Sequence, residues 1–460
     1  MSRLRVLVLG PDCNPEKVSI RFVAYCHVAA LAKLHDVTLV ASETAENALR
    51  RANAPFRSIE VVRTPRLDRA FSWCFRNIFK GNYDTQALTA FRYLFAVAFE
   101  WFAWRQLRNR IFTGEYDVVL RLLPMTPVMP SPFAFFLRRG PIPFVIGPLN
   151  GGLRSAPGFR QPDKQREWLN FGFRKLSQFL PFVRSTYRNA AAIIAATSHM
   201  RAQFADYRDK LFFIPENGIA RSQCVTDTRM LNPGAKLQMI FVGGFVRRKA
   251  CYIGLRAAAP LLHNDLAHFT LIGDGPERGR LEELVASLGI QGNVSFRGWL
   301  EHSAVLGKLR AADVVVLPAI REGGGGVVFE ALASGVVPVI LDWGGPGDIV
   351  HPEVGYKVSP SNEDQVVAEM ERILSELEAD RDLLTRLRRQ GMSYAQECLT
   401  WDAKACATTQ VLNWVVGQGP KPDLPWSRMA RVRCVDEPEN SSELSRGTLT
   451  DDVEHPVTRS

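Results

Sequence analysis

Two glutamates enclose a run of glycines in the second half of the sequence, and this spacing suits the binding of a phosphate group. Glu322 and Glu330 flank four consecutive glycines, Gly323, Gly324, Gly325 and Gly326. The apolar run 313–317 before them predicts a buried parallel strand, and 327–334 predicts a helix that ends at a glycine. Glycine backbone N–H groups can approach an anion closely at the positive end of such a helix. The stretch therefore predicts a phosphate-binding loop with one carboxylate in the loop and one on the helix.

A second loop with related chemistry follows the first strand predicted for this half of the chain. Gly243 and Gly244 precede three consecutive cations, Arg247, Arg248 and Lys249. Arginine and lysine side chains beside a helix N-terminus can neutralise a diphosphate that the backbone also binds. Strands of a parallel sheet end at one edge, so we expect the cationic loop and the glycine loop to face the same ligand. A solvated basic loop is the alternative for any one of these cations.

A third group of candidates lies in the first half of the sequence. The strand predicted at 143–146 runs into the glycine-rich loop 147–152, which contains Asn150 and Gly151, and the first predicted strand ends at Gly10. Loops at the carboxyl ends of strands lie where open α/β sheets bind ligands. We interpret these three residues as one side of a ligand-binding cleft, the side that the resemblance described below assigns to the acceptor. Ordinary turn chemistry is the alternative explanation.

The elements that would position these loops alternate between strand and helix. A chain of 460 residues exceeds the usual span of one hydrophobic core, so two domains are expected. In the first domain, 1–218, strands are predicted at 4–9, 37–41, 59–62, 117–121, 143–146, 191–196 and 211–214. In the second domain, 237–400, they are predicted at 238–242, 269–272, 294–296 and 313–317. The pattern predicts an α/β protein of two Rossmann-like, doubly wound domains that face each other across a cleft.

Three further segments complete this organisation. The polar stretch 219–236 is interpreted as a hinge between the domains. A helix at 401–416 follows the second domain. From 417 to 460 the sequence is polar and has almost no apolar pattern, which predicts a disordered tail.

The net charge of +10 suggests an anionic partner, and two aromatic and basic insertions in the first domain carry much of it. They span 65–112 and 159–188. In the first insertion, one helical face is predicted to carry Phe91, Leu94, Phe95, Ala98, Phe99 and Phe102. Helices of this composition can lie in the headgroup layer of an anionic bilayer. Packing of the helix against its own domain, with solvated arginines, is the alternative.

Other classes of protein are disfavoured by what the sequence lacks. The eight cysteines are scattered without metal-ligand spacing, so reduced thiols and no metal site are expected. No signal peptide is visible at the start, and no run reaches about 18 uncharged apolar residues. The expected location is cytoplasmic, with peripheral contact to the cytoplasmic face of a membrane left open. Nucleic acid is not expected as a partner.

The motifs together resemble those of one enzyme family. The stretch EGGGGVVFEALASGVVPV resembles the Glu–seven residues–Glu signature of the large retaining glycosyltransferase family that includes glycogen synthases and lipopolysaccharide glucosyltransferases. FVGGFVRRKA is similar to its "VGR…KG" loop, LIGDGPERGRLEEL to its "GDGP" turn, and PENGI to its "PNG" segment. This is glycosyltransferase family four, glycosyl transferases group 1, which has the GT-B fold of two Rossmann-like domains. The resemblance covers about 190–416 well and the rest in outline.

The resemblance implies a role for each candidate residue. The carboxylate of Glu322 would contact the transferred sugar, and that of Glu330 would hold the ribose hydroxyls of the nucleotide, because a carboxylate can accept two hydroxyl hydrogen bonds. Arg248 and Lys249 would stabilise the departing nucleoside diphosphate. The remaining donor-binding candidates are Gly243, Gly244, Arg247, Gly323, Gly324, Gly325, Gly326 and Val327. The helix at 401–416 would cross back onto the first domain.

The chain also departs from the family pattern at two positions. Gly244 stands where the family usually has an arginine, and Asn150 lies where a histidine is often found. Asparagine cannot act as a general base, so none is assigned. Retaining enzymes of this fold are described as using a substrate-assisted displacement, in which a donor phosphate oxygen receives the acceptor proton. That course needs neither a protein base nor a metal ion.

The implied function is transfer of a sugar from a nucleoside-diphosphate sugar to a saccharide or lipid-linked acceptor. The acceptor would belong to polysaccharide or glycolipid assembly at a membrane surface, and no cofactor beyond the sugar nucleotide would be needed. Two alternatives remain open from the sequence. One is a sugar-nucleotide epimerase or phosphorylase of the same fold. The other is a non-catalytic relative that binds polyanions or membranes.

Overall fold

Two parallel sheets flanked by helices form the body of the protein. The computed structural model describes residues 3–64, 73, 76–77, 86–159, 182–227 and 234–426. Within these residues, one sheet has seven strands and the other has six, and every strand pair is parallel. The prediction of an α/β protein with two doubly wound domains is therefore confirmed.

The first sheet contains all seven strands predicted for the first domain. They are β1 (Arg5–Leu9), β2 (Asp36–Ser42), β3 (Ser58–Val62), β4 (Val118–Arg121), β5 (Phe144–Leu149), β6 (Ala192–Ala195) and β7 (Leu211–Phe213). Their order across the sheet is β3-β2-β1-β4-β5-β6-β7. The helices of this domain are α1 (Ile20–Leu34), α2 (Glu43–Arg51), α3 (Gln86–Phe112), α4 (Pro132–Phe136), α5 (Val183–Asn189) and α6 (Ser198–Gln203).

The second sheet places the two candidate donor loops side by side. Its strands are β8 (Leu237–Val242), β9 (Ala267–Ile272), β10 (Val294–Phe296), β11 (Val314–Leu317), β12 (Val337–Leu341) and β13 (Tyr356–Val358). Their order is β10-β9-β8-β11-β12-β13, so the order of the strands reverses between β8 and β11. Ligands of open α/β sheets bind at the carboxyl ends of the strands next to such a reversal. The cationic loop after β8 and the glycine loop after β11 meet there.

Helices cover both faces of the second sheet, and one more helix returns to the first domain. They are α7 (Cys251–His263), α8 (Arg278–Ser287), α9 (His302–Arg310), α10 (Gly326–Ala333), α11 (Gly344–Ile349), α12 (Glu363–Ala379), α13 (Arg381–Tyr394) and α14 (Trp401–Val415). The sequence analysis assigned no strand to β12, and it did not predict β13 or α11. Both are short, and a strand of three residues carries too little periodicity to detect.

The chain crosses between the domains twice at one place. Ile219 and Thr400 form a parallel bridge, and the N–H of Trp401 donates to the carbonyl of Ile219 at 3.0 Å. After this crossing, α14 packs on α1, where His27 Nε2 lies 2.9 Å from Thr408 Oγ1. The hinge predicted at 219–236 therefore begins beside the second crossing. Residues 228–233 of that segment lie outside the described part.

The packed chain extends past the predicted start of the disordered tail. Leu424 and Trp426 are almost completely buried and belong to the hydrophobic core of the first domain. The prediction for 417–460 therefore needs correction over 417–426. Two isolated apolar residues in a polar stretch give no periodic signal, but each can still fill a place in a core. The rest of the predicted tail, 427–460, lies outside the described residues.

The structure describes much of the first predicted insertion and little of the second. In α3, the buried positions include Phe99, Ala103, Leu107 and Ile111, which follow each other at every fourth residue. The helical face predicted from the sequence is therefore wrong in part, because Leu94 and Phe102 are exposed. Of the second insertion, 160–181 lie outside the described residues. Among the described residues, no helix combines the length and apolarity needed to span a membrane.

Candidate functional site

The glycine loop is enclosed by both domains. Gly325 has a φ of +61° and immediately precedes α10, a backbone conformation that glycine adopts without strain. On the side of the first domain, a Cβ atom on Gly324 would collide with the side chains of Glu216 and Asn217. On the other side, a Cβ on Gly325 would lie 2.9 Å from the ring of Pro346. Close approach from both sides explains why larger residues do not fit here.

The cationic loop contacts the first glutamate of the glycine loop. Lys249 Nζ lies 2.5 Å from Glu322 Oε2, and an Arg248 guanidinium nitrogen lies 3.9 Å from the same oxygen. The Gly325 N–H donates to Glu322 Oε1 at 3.1 Å. The backbone joins the two loops as well, because the N–H of Ile320 donates to the carbonyl of Arg248 at 3.0 Å. These contacts bring Glu322, Arg248 and Lys249 together as the sequence predicted.

The surroundings keep Glu322 ionised. Its side chain is 16% exposed, and that of Lys249 is 14% exposed. Burial would raise the pKa of Glu322, but the charge of Lys249, the hydrogen bonds from Lys249 and Gly325, and the charge of Arg248 together hold it below its usual value. A carboxylate with this anchorage is fixed in place at neutral pH. It can accept hydrogen bonds from hydroxyl groups of a ligand.

The other candidates in the cationic loop are placed differently. The charge of Arg247 acts on the phenol of Tyr252 on α7, which donates to Glu363 at 2.8 Å. In the described part of the chain, Arg248 and Lys249 form ion pairs with Glu322. Gly243 lies under the side chain of Lys249. The loop thus directs two of its three cations to the glycine loop.

Gly244 leaves open space beside an exposed indole. A Cβ atom there would have only ordinary van der Waals contacts, the nearest being 3.8 Å from the carbonyl of Asp274 and 3.9 Å from the ring of Trp299. The side chain of Trp299 is 69% exposed. The position at which the family usually has arginine is therefore sterically free in this chain.

The second glutamate has a partner that the sequence analysis missed. Glu330 Oε1 lies 2.8 Å from His302 Nε2 at the start of α9. The hydrogen bond to Glu330 raises the pKa of His302. A single histidine at a helix start belongs to no motif, and it lies 28 residues from its partner in the sequence. No local signal could have identified this contact.

The first domain contributes Asn150 and Gly151 but leaves Gly10 apart. The Asn150 side chain packs against Gly323, where a Cβ atom would lie 3.1 Å from Nδ2. Its Oδ1 accepts a hydrogen bond from the Gly151 N–H at 2.7 Å. Gly10 packs inside its own domain, where its nearest neighbours are Leu39 and Cys13. Asn150 thus touches the glycine loop.

Two further residues at this junction were also missed. Glu216 receives a hydrogen bond from Asn150 and lies against Gly324. Lys404, on α14, is fully buried, and its ammonium group donates to the carbonyls of Pro215 and Asn217. Burial lowers the pKa of Lys404 well below its usual value. A lysine on the buried face of an apolar helix is the one sequence signal that could have drawn attention to this position.

The site contains different side chains and backbone groups for the different parts of a ligand that carries both phosphates and hydroxyls. Cations and glycine N–H groups can bind phosphate groups, while Glu322 and Glu330 can accept hydrogen bonds from hydroxyl groups. The first domain closes the site through Asn150 and Glu216. A sugar joined to a nucleoside diphosphate has phosphates and hydroxyls of these kinds.

Comparison with known proteins agrees with this chemistry. Residues 228–390 match the family described as glycosyl transferases group 1. An uncharacterized glycosyltransferase of Methanocaldococcus jannaschii is 30% identical over 174 residues, which are 38% of this chain and 44% of that protein. The lipopolysaccharide core biosynthesis glycosyltransferase LpsE of Rhizobium meliloti is 28% identical over 211 residues, 45% of this chain and 59% of LpsE. The chain thus spans about half the length of these curated relatives.

Solved structures extend the similarity to both domains. HepE of Anabaena, in complex with UDP, has a TM-score of 0.58 at 15% identity, and the match covers 89% of this chain and all of HepE at 100%. A glycosyltransferase from Rickettsia africae has a TM-score of 0.59 at 12% identity and covers 91% of this chain and 100% of its own. These similarities confirm the predicted GT-B fold.

Proposed function

Since its second domain belongs to the glycosyl transferases group 1 family, we propose that this protein transfers a sugar from a nucleoside-diphosphate sugar to a saccharide or lipid-linked acceptor. The observation that carries the proposal is the contact between Lys249 Nζ and Glu322 Oε2, 2.5 Å apart beside the glycine loop. Through this contact, a cation that can bind the diphosphate lies next to a carboxylate that can bind the sugar, at the carboxyl ends of the strands.

Each group has a part in the proposed reaction. Glu330 binds the ribose hydroxyls and Glu322 a hydroxyl of the transferred sugar, while Arg248 and Lys249 stabilise the negative charge on the departing diphosphate. The acceptor oxygen bonds to the anomeric carbon on the face from which the phosphate oxygen leaves, so configuration is retained. The acceptor proton passes to that phosphate oxygen. Asn150, whose side chain packs against Gly323, cannot accept a proton.

The reaction so described uses no cofactor or metal ion besides the sugar nucleotide. The support for this part of the proposal is the pair of cations, Arg248 and Lys249, that reach the glycine loop. The alternatives raised from the sequence are not favoured. The curated relatives named above are sugar transferases, whereas the alternatives were an epimerase, a phosphorylase or a non-catalytic binding protein.

The proposal predicts nucleotide binding that depends on Glu330. In a thermal-shift screen of UDP, GDP, ADP, CDP and TDP, at least one is expected to raise the melting temperature, because binding to the folded state stabilises it by mass action. UDP is the first candidate, since HepE is a UDP complex. Glu330→Ala is expected to weaken that binding by about tenfold or more, the effect of losing hydrogen bonds to a charged group.

A matched control distinguishes this effect from a general loss of helix stability. Glu369→Ala removes a half-exposed glutamate from α12 and is expected to leave nucleotide affinity within about twofold. Titration calorimetry with the nucleotide selected by the screen gives both dissociation constants. Equal affinities for wild type and Glu330→Ala, or no shift with any nucleotide, would contradict the proposal.

We place the acceptor at a membrane surface because of an aromatic patch on the first domain. We define this patch as Trp101 and Phe102 on α3 with Phe135 and Phe136 on α4. The ring centroids of Trp101 and Phe136 are 5.6 Å apart, and Trp101 and Phe102 are 47% and 42% exposed. The exposed arginines of these segments are Arg105, Arg108, Arg138 and Arg139. Aromatic rings framed by cations suit the interface of an anionic bilayer.

This part of the proposal predicts salt-sensitive binding to anionic vesicles. Wild-type protein is expected to co-sediment with vesicles of phosphatidylglycerol and phosphatidylcholine, and less so as salt is raised, because salt screens the arginines. The Trp101→Ala, Phe102→Ala double variant is expected to bind about tenfold more weakly, since it loses buried apolar area. Leu266→Ala removes an exposed leucine of the second domain and serves as control. Failure of the wild type to bind at low salt would contradict membrane contact.

A further inference from the structure

The segment between β7 and the first domain crossing directs one side chain into the cleft. Its sequence, Pro215-Glu-Asn-Gly218, contains one residue more than the Pro-Asn-Gly pattern that it resembles. The additional residue is Glu216. Its carboxylate reaches the second domain, where it lies so close to Gly324 that a Cβ atom on that glycine would collide with it. A side chain of the first domain therefore forms part of the wall of the glycine loop.

Helix α14 fixes the backbone on either side of Glu216. The buried ammonium group of Lys404 donates to the carbonyls of Pro215 and Asn217, the two neighbours of Glu216 in the chain. Gly218 packs on Trp401 so closely that a Cβ atom would lie 2.8 Å from the indole ring. Groups held in this way keep a fixed geometry, which a substrate contact needs.

Asn150 fixes the orientation of the carboxylate itself. The Oδ1 atom of Asn150 accepts from the Gly151 N–H at 2.7 Å, so the amide NH₂ group faces away from that contact. The same side chain lowers the pKa of Glu216, which is the effect of an amide N–H group directed at a carboxylate. A carboxyl group keeps more than one acceptor site in either protonation state, so one such bond leaves capacity for a ligand.

The electrostatics of the cleft select the kind of group that binds there. Burial and the charge of Glu322 raise the pKa of Glu216, whereas Asn150 and the charge of Lys404 act in the opposite direction and favour the ionised form. Two carboxylates that face one loop repel a phosphate, whereas a hydroxyl group can donate a hydrogen bond to either of them. The cations Arg248 and Lys249 are bound to the Glu322 side of the loop. The diphosphate is therefore drawn to the cations, and the position beside Glu216 is left for a polyhydroxylated group.

We infer that Glu216 is a substrate-contacting residue, whose carboxylate accepts a hydrogen bond from a hydroxyl group of the transferred sugar, and that Asn150 is its positioning residue. This inference rests on the proposed sugar transfer and adds to it a contact from the first domain. It also gives a role to the contact between the first domain and the glycine loop. The sugar of the donor would be held from both sides, by Glu322 from one domain and Glu216 from the other.

The test separates the sugar from the nucleotide to which it is attached. Titration calorimetry compares UDP with UDP-glucose, and GDP with GDP-mannose, on wild type and Glu216→Gln. The variant is expected to bind the sugar nucleotide about tenfold more weakly, because it loses a hydrogen bond to a charged group. The Kd of the bare diphosphate is expected to stay within about twofold. Glu353→Gln, at an exposed glutamate of the second domain, is the matched control.

Asn150→Ala tests the positioning role through non-additivity. Alone, it is expected to lower the affinity for the sugar nucleotide less than Glu216→Gln does. In the Glu216→Gln background it is expected to have little further effect, because residues that act through one contact are not additive. Glu216→Asp keeps the charge on a shorter side chain and is expected to have an intermediate affinity. Melting temperatures of all variants establish that they are folded.

The possible outcomes distinguish this inference from the proposed function. If wild type and Glu216→Gln bind the sugar nucleotide equally, the inference is overturned and the proposed function stands. If Glu216→Gln weakens the bare diphosphate as much as the sugar nucleotide, Glu216 has only a structural role and the inference is again overturned. If the wild type binds no diphosphate or sugar nucleotide, the proposed function itself is contradicted.

Discussion

Replacing Lys249 with alanine is expected to lower kcat for sugar transfer by about two to three orders of magnitude, the usual effect of removing a preorganised group that stabilises developing charge. Lys249 is suited to this part because its ammonium group is nearly buried and already fixed 2.5 Å from Glu322. A charge that needs no reorganisation acts most strongly in a site from which water is excluded. The measurement is single-turnover transfer with a saturating sugar nucleotide.

The same substitution is expected to change the pH dependence of the reaction. In the wild type, burial raises the pKa of Glu322, and Lys249 is the main group that lowers it again. A carboxyl with a lowered pKa contributes stability that is present above its unfolded value and lost as the pH falls through its folded value. Without Lys249 the pKa of Glu322 rises, so the acidic limb of the pH–rate profile moves to higher pH.

Arg247→Ala is the control for Lys249→Ala, because it removes a cation of the same loop whose charge acts on Tyr252. It is expected to retain most of the activity. Similar losses in both variants would mean that the loop acts through its net charge alone. Unchanged turnover in Lys249→Ala, with the variant folded, would contradict the assignment of the leaving-group site.

The donor side of the site could be predicted because it depends on short sequence patterns and on the topology of a parallel sheet. The valines of β11 mark a buried strand, and the glycines after it mark a loop at its carboxyl end. Parallel strands put such ends at one edge, so the cationic loop had to lie near the glycine loop. The contact between Lys249 and Glu322 follows from these facts.

The backbone of the cationic loop also sets the directions of its three cations, and a donor contact of Arg247 stays a prediction. Residues 247–249 form a single turn of 3₁₀ helix (Arg247–Lys249). With about three residues per turn, consecutive side chains point in directions about 120° apart. Three adjacent cations therefore cannot all face one ligand. The three cations are adjacent in the sequence, but the backbone of the turn directs their side chains differently.

Several contacts of the site could not be predicted because they join distant parts of the chain. Lys404 lies 189 residues from Pro215, whose carbonyl it binds. His302 belongs to no motif, and Glu216 is the residue of PENGI that the family's PNG pattern lacks; the neighbours of both come from the folded chain. The exposed aromatic rings of α3 likewise depend on α4, a helix of five residues that the sequence pattern did not reveal. Interdomain and interhelical contacts of this kind are properties of the tertiary structure.

The aromatic patch rests on a buried ion pair, whose disruption is expected to have the largest effect on stability. Arg121 at the end of β4 and Glu100 on α3 are 0% and 3% exposed, and Arg121 Nε lies 3.3 Å from Glu100 Oε1. Glu100 also accepts hydrogen bonds from Ser131 and from the Phe133 N–H of α4. One carboxylate thus joins the sheet to both helices that carry the patch. The Arg121→Met variant is expected to lose about 3–5 kcal/mol of unfolding free energy, because it leaves a buried charge without its partner.

A double variant tests whether the loss comes from the unpaired carboxylate. Arg121→Met with Glu100→Met replaces the pair by apolar side chains of similar length, and such replacements are often close to neutral. We therefore expect the double variant to recover most of the unfolding free energy, measured by urea denaturation. It is also expected to bind anionic vesicles more tightly than Arg121→Met does, since the two helices are again packed on the sheet. A double variant no more stable than Arg121→Met would mean that Glu100 holds α3 and α4 through its hydrogen bonds to Ser131 and Phe133. In that case the carboxylate, rather than the charge pair, sets the position of the aromatic patch.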